Sequence, residues 1–384
     1  MLKNKHIMLL LEWYDYRIHR GVAQVARANG WQLNCPKSFT HNEGILNNWN
    51  CDGCIALLQC TKTLKYFRSN QIPLVDMGLG GHKLDIPRIV TDNRKIAKMA
   101  AEHFREHGYR EVFALHPNGI KMYEERLQAL IEYMKADGGK VTVFKSAGRT
   151  EHKIIEELHQ LAEAQKRKIE ELSVGFFAYE DTTAAEMISI CLQNNLRVPE
   201  NIAVLGVDND DLVNKGLTVA LSSVDSDQEG LGIAAAKMLH KLLASPSSYD
   251  PKTIVRHPPI GVVARLSTDC YAFQNPLVAN ALHWIKNNFY NGIQASDVAD
   301  AMNVTQQGLQ KAFAACYSKS PGQEIRYQRT QAVAHLLKSS SATLDEIAKN
   351  CGYYSVNSLI NSFRSEYKTT PGRYRKQQKE KLAE

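Results

Sequence analysis

Short apolar runs alternate with amphipathic stretches along the first 265 residues. Residues 7–11, 54–58, 73–77, 89–91, 112–116, 141–144, 173–178 and 202–207 are mostly apolar at consecutive positions. Consecutive apolar residues predict strands covered on both faces, as in parallel sheets, not strands with one wet face. Between them, helical periodicity covers residues 18–29, 64–69, 96–108, 124–136, 151–171, 182–194 and 230–243. The alternation predicts βαβ units and a parallel α/β fold, whose ligands bind at the carboxyl ends of the strands.

Beyond residue 276 the pattern becomes wholly helical. Residues 296–302 form a short helix opened by Ser296, with Val298, Ala299 and Met302 apolar, and Asn303-Val304 makes a turn. Thr305 then caps a second helix with Leu309, Phe313 and Tyr317 on its inner face. About fifty residues later the plan returns: Thr343 caps a short helix, Gly352 turns the chain, and Ser355 opens a helix with Leu359 and Phe363 inward. A long helix over residues 321–337 lies between. Each pair predicts a helix-turn-helix, whose second helix can enter a major groove. One such pair would fit a plain helical bundle. Two on one plan favour nucleic acid. The expected division is residues 1–265, a linker at 266–277, and residues 278–384.

Charge supports that division. Of a net +7, residues 280–384 hold 14 Lys/Arg against 8 Asp/Glu, while the rest is nearly balanced. A basic end on a neutral body suits one module meeting a polyanion and another doing something else. The 44% hydrophobic content excludes a disordered or low-complexity chain. No run nears the roughly 20 apolar residues of a membrane span, and the N-terminus lacks the pattern of a signal peptide. Eight cysteines sit mostly in apolar runs, as reduced thiols of a cytoplasmic protein do.

Residues 278–376 resemble the DNA-binding domain of the arabinose-regulator (AraC/XylS) family. The match rests on Ala299 with Met302-Asn303-Val304-Thr305, Leu309, Phe313, Arg329 with Leu336-Leu337, Ile347-Ala348 with Gly352-Tyr353, Phe363-Arg364, and Thr370-Pro371-Gly372-Arg373-Tyr374-Arg375. The resemblance implies two recognition helices per chain on double-stranded operator DNA. The first would present Gln306, Gln307, Gln310 and Lys311. The second would present Tyr354, Ser355, Asn357, Ser358, Asn361 and Arg364. Gln and Asn suit bidentate contacts to adenine, and Lys and Arg suit guanine or phosphate. Arg373, Arg375 and Lys376 are expected on phosphates, which position without specifying.

Residues 5–265 resemble the effector-binding domain of lac-repressor-type (LacI/GalR) regulators, itself akin to periplasmic sugar-binding proteins. The matches are Arg20-Gly21-Val22, Thr91-Asp92-Asn93, His103-Phe104, Gly108-Tyr109, Glu125-Arg126, Val198-Pro199-Glu200, the run from Val204 to Asn209, and Leu221-Ser222-Ser223-Val224. The implied fold is an α/β two-lobed periplasmic-binding-protein-like domain followed by an all-α domain with two helix-turn-helix motifs. The chain should cross between lobes three times, near residues 114–119, 220–224 and 260–263. A sugar needs carboxylates to accept its hydroxyls, a donor such as Arg, and an aromatic cover for its apolar face. Tyr14, Asp15, Asp92, Arg126, Asp181 and Asp208 are the expected set, with helix capping or ion pairing as the alternative for each.

The function implied is a DNA-binding regulator controlled by a small sugar such as a pentose; a hexose, a phosphosugar, a purine or no ligand at all stay open. No Walker or dinucleotide glycine pattern and no nucleophile–base set supports an enzyme. Neither cofactor nor metal is expected. Partners would be the operator, the sugar, a second copy of the chain joined through the α/β lobes and, for an activator, RNA polymerase, with no membrane.

Overall fold

The computed structural model describes residues 4–36, 51–57, 61–78, 85–144, 151–273 and 275–383. By its contacts the chain divides into two units, Met1–Arg105 with Arg110–Asp269, and Glu106–Tyr109 with Cys270–Glu384.

The first unit has two lobes. One is built on β1 (His6–Leu11), α1 (Tyr16–Asn29), β2 (Gln32–Asn34), β3 (Gly53–Leu57), α2 (Thr61–Ser69), β4 (Leu74–Asp76) and β5 (Arg88–Thr91). The chain then crosses to α3 (Asn93–Glu106), β6 (Glu111–Leu115), α4 (Lys121–Ala136), β7 (Lys140–Phe144) and α5 (Glu151–Ala164). The second lobe continues through β8 (Val174–Phe177), α6 (Asp181–Gln193), β9 (Ile202–Val207), α7 (Asp211–Lys215) and β10 (Ser222–Asp225). Crossing back, α8 (Gln228–Ala244) and β11 (Ile254–His257) complete the first lobe, and β12 (Gly261–Val263) returns to the second. The strand orders are β11-β5-β4-β3-β1-β2 and β12-β10-β9-β8-β6-β7. Pairing is parallel except for β12, which runs antiparallel to β10.

The consecutive apolar positions are explained by cover on both faces. Along β1, Ile7, Leu9 and Leu11 join the core under α1 and α8, while Met8 and Leu10 point to the core that includes Leu64 and Phe67 of α2. Helices α1 and α8 meet through glycines. A Cβ on Gly21 would lie 2.2 Å from the Glu229 carbonyl, and one on Gly232 would lie 2.4 Å from that of Ile18.

Three expectations change. The first crossing lies at residues 91–93, not 114–119, because the latter only join β6 to α4 within one lobe. The other two, at 225–228 and 257–261, lie close to where they were expected. The helix expected over 151–171 ends at Ala164, since Lys166 takes a left-handed φ of 55° and a separate turn, Ile169–Glu171, follows. Ser267 and Thr268, placed by sequence at the start of the linker, are buried in the first unit. The Ser267 hydroxyl donates to the Val204 carbonyl at 2.6 Å, and that of Thr268 donates to Ser222 Oγ at 2.8 Å.

The second unit comprises α9 (Pro276–Asn288), α10 (Ala295–Ala301), α11 (Gln306–Cys316), α12 (Pro321–Ser339), α13 (Leu344–Asn350), α14 (Val356–Tyr367) and α15 (Pro371–Ala383). It holds two small cores, one around Val298, Leu309 and Phe313, the other around Ile347, Leu359 and Phe363. Helix α12 serves both, giving Ile325 to the first and Val333 and Leu337 to the second. Between them, buried Arg329 donates to the carbonyls of Phe289 and Ile293, each at 2.8 Å.

Candidate functional site

The carboxyl ends of β1, β5, β8 and β9 carry the expected sensor residues except Arg126, which lies on α4. After β1, Trp13 and Tyr14 stand half exposed, the Tyr14 hydroxyl 3.0 Å from His19 Nδ1. Asp15 caps α1, accepting from the Arg17 and Ile18 amides at 2.8 and 3.4 Å. Its carboxylate also pairs with the Arg17 guanidinium at 2.6 Å. Arg17 reaches the other lobe, donating to the Asp208 carbonyl and lying 3.6 Å from the Asp210 carboxylate. Burial opposes its charge, but Asp15, Asp208 and Asp210 outweigh that and hold the proton more firmly than usual.

Asp208 has a φ of 100°, in the left-handed half of conformational space that non-glycine residues avoid unless neighbours over-determine them. Here they do. Its amide donates to the Val224 carbonyl at 2.9 Å, and its carboxylate accepts from Ser226 Oγ at 2.6 Å and Gln228 Nε2 at 2.9 Å. Asp181 is buried at the start of α6. It accepts from Ser223 Oγ and the Asp210 amide, both at 2.6 Å. Burial and the nearby Asp208 charge push its carboxyl up to about 7, against those donors.

Arg126 is fully buried. Its Nε donates to Asn93 Oδ1 at 2.6 Å and its Nη1 to the Tyr179 carbonyl, while Nη2 has no hydrogen-bond partner among the described residues. Asn93 in turn donates to Glu125 at 3.0 Å, and Glu125 pairs with Arg256 of the first lobe at 2.7 Å.

Asp15 and the Asp208 carbonyl therefore meet at Arg17, whose charge Asp181 also feels, and Arg126 and Asp208 both lie within the electrostatic reach of Tyr123. Asp92 is occupied differently: it caps α3, accepting from the Lys95 amide at 3.1 Å, with the Lys95 ammonium at 3.5 Å. Sequence reasoning missed Arg17, Gln228, Glu180 and the place of Tyr123. The Tyr123 hydroxyl donates to Glu180 at 2.7 Å, and its ring stacks on Tyr179 at 5.0 Å. Burial and the Glu180 charge hold that phenol protonated well beyond its ordinary range. The fork of Arg17 and the amide of Gln228 become visible only once the crossing at residues 225–228 is placed.

In the second unit, Gln306, Gln307, Gln310 and Lys311 all lie on the exposed side of α11. Tyr354, Ser355, Asn357, Ser358, Asn361 and Arg364 are exposed on or just before α14, with Tyr354 79% accessible. Ser355 also caps α14 through the Ser358 amide at 3.2 Å. On α15, Arg373 and Lys376 are exposed. Arg375 is engaged within the protein, its Nη2 donating to the Ala342 carbonyl at 2.6 Å and its Nε buried. It docks α15 onto the segment before α13.

This arrangement has counterparts among known proteins. Residues 101–268 match the periplasmic binding protein-like domain family, and residues 298–377 match a helix-turn-helix domain family. The chain thus combines a periplasmic-binding-protein-like sensor domain with a helix-turn-helix DNA-binding domain, the make-up of a DNA-binding transcription regulator. The similarity extends over the whole length. The xylose operon regulatory protein of Haemophilus influenzae is 28% identical over 94% of this chain and 95% of its own. That of Escherichia coli K12 is 26% identical over 98% of both. A solved structure described as a xylose-binding transcription activator is 27% identical, with a TM-score of 0.58 over 98% of this chain and 99% of that one. The C-terminal domain is of the arabinose-regulator type and the sensor is lac-repressor-like. Among the described residues, no helix is long and apolar enough to cross a membrane.

Proposed function

We propose that this regulator answers to a small neutral sugar, D-xylose first among the pentoses, bound between the lobes of residues 1–265. The linker expected at residues 266–277, its first residues packed into the sensor, joins that sensor to residues 278–384, which bind operator DNA. The observation that carries the reading is the convergence of Asp15 of the first lobe with Asp208 and Asp181 of the second around Arg17. Arg126, with a buried guanidinium nitrogen unpaired among the described residues, shares with Asp208 the electrostatic reach of Tyr123. Carboxylates outnumber guanidinium groups among these residues, which suits hydroxyl groups and disfavours phosphate. The names borne by whole-length relatives point the same way. The ligand set is Tyr14, Asp15, Arg126, Asp181 and Asp208, joined by Gln228; Asp92 contributes by fixing the first crossing.

On the DNA side, Gln306, Gln307, Gln310 and Lys311 of α11 and Tyr354, Asn357, Ser358, Asn361 and Arg364 at α14 read base edges, while Ser355 and Arg373 hold the backbone. The chain acts in the cytoplasm as a homodimer joined through its α/β lobes, with no catalytic activity and no cofactor, and contacts RNA polymerase if it activates. The test is thermal melting of the full chain with D-xylose, L-arabinose, D-ribose, D-glucose, a phosphosugar and a purine. A shift from one pentose supports the reading. No shift from any sugar, in protein that still binds DNA, overturns it.

A further inference from the structure

We propose that Arg17 is a latch between the lobes, holding α1 of the first against the loop after β9 of the second before any effector binds. The guanidinium is anchored on its own side by Asp15 at 2.6 Å. It donates across to the Asp208 carbonyl and lies 3.6 Å from Asp210. Its side chain is 11% exposed, so water and salt screen these contacts less than they would a surface pair. A planar fork can serve a carboxylate and a carbonyl together, whereas the single ammonium of a lysine serves them less well.

The target of the latch gives it a role. Asp208 receives Arg17 on its backbone carbonyl and presents its carboxylate to Ser226 and Gln228 at the second crossing. A ligand hydroxyl engaging that carboxylate meets a loop already clamped to the opposite lobe. The latch thus raises the fraction of chains in the closed arrangement, and apparent affinity rises with that fraction. The affinity consequence rests on the cleft being the effector site; the latch itself does not.

Double electron–electron resonance on the full chain tests it, with nitroxides at Arg27→Cys on α1 and Glu186→Cys on α6, both exposed, after replacing accessible native cysteines. Without sugar, Arg17→Gln shifts the interlobe distances to longer and broader values, and Arg17→Lys falls between it and the parent. An unchanged distribution in folded Arg17→Gln overturns the proposal. Should that variant not fold, Asp210→Asn decides: a smaller shift in the same direction supports the latch, and none overturns it. With D-xylose as probe, Arg17→Gln weakens binding by about 3- to 10-fold through the lost closed fraction. If D-xylose does not bind the parent, D-xylose is excluded as the effector while the distance measurement still decides the latch.

Discussion

The Arg17 guanidinium on the first lobe donates to the backbone carbonyl of Asp208 on the second, while Asp15, two residues away on its own side, neutralises it. A pairing that looks local in sequence, Asp15 with Arg17, is thus half of a contact between lobes. It places Asp208, strained and over-determined, where both lobes and one crossing converge.

Asp208→Ala and Asp208→Gly should both lose the stabilisation that D-xylose confers, about 2.7 kcal/mol at a hundredfold excess over Kd. They should differ without ligand. Glycine accepts a φ of 100° freely and alanine does not, so the glycine variant melts higher than the alanine one. Equal apo melting temperatures would show that the loop relaxes away from this conformation.

Asp181 makes stability depend on pH. Its carboxyl is raised from 3.8 to about 7, so between those values the folded chain binds more protons than the unfolded chain. Its contribution is therefore full at low pH and lost as pH rises through the folded value. Asp181→Asn cannot ionise, so its stability relative to the parent should improve from pH 4 to pH 7 and level off above, as read by urea denaturation across pH. A difference that stays flat over that window would contradict the raised carboxyl.

Gly21→Ala should destabilise the first unit by about 1–3 kcal/mol, because its Cβ would press the Glu229 carbonyl at 2.2 Å and force α1 from α8. Gly119→Ala is the contrast. A Cβ there meets nothing within 4 Å, so only its φ of 83° opposes the change. Denaturant midpoints of the two variants rank them.

On DNA, three variants should separate three roles. Gln307→Ala changes preference at one base position by about 1–3 kcal/mol. Arg373→Ala weakens all sequences alike and lowers the slope of log affinity against log salt by about 0.9. Arg375→Ala instead lowers the melting temperature, since it strips the Ala342 carbonyl of its donor. Titrations with operator and unrelated duplex at several salt concentrations, beside a melting curve, distinguish them.

Much of the fold was legible because it is written in short-range patterns. The doubly covered strands of β1 and β9 are apolar runs, and Thr305, Thr343 and Ser355 announce their helices. The edge and polar strands were not. β10 carries Ser222 and Ser223, buried only because Ser267, Thr268 and Asp181 satisfy them, and β11 is an exposed edge. Without these strands the crossing expected near residues 220–224 fell a few residues short of 225–228, and Gln228 and the outward reach of Arg17 went unread. Asp92 shows the converse: its residue type and its place after a strand suited a ligand group, but the same place is a helix start, and the cap claimed it. Arg375 likewise reads as a phosphate contact until the carbonyl it serves is known.

One uninterrupted helix, Pro321–Ser339, underlies both helix-turn-helix pairs and is pinned midway by Arg329 and by Thr330 against Tyr353. That fixes a phase as well as a fold. With both pairs reading DNA as proposed, the two heads of one chain cannot be turned independently, so the DNA must present its two boxes with matching rotation. One inserted base pair between them turns the second box by about 34°. An operator for this protein should therefore tolerate a changed letter far better than a changed length.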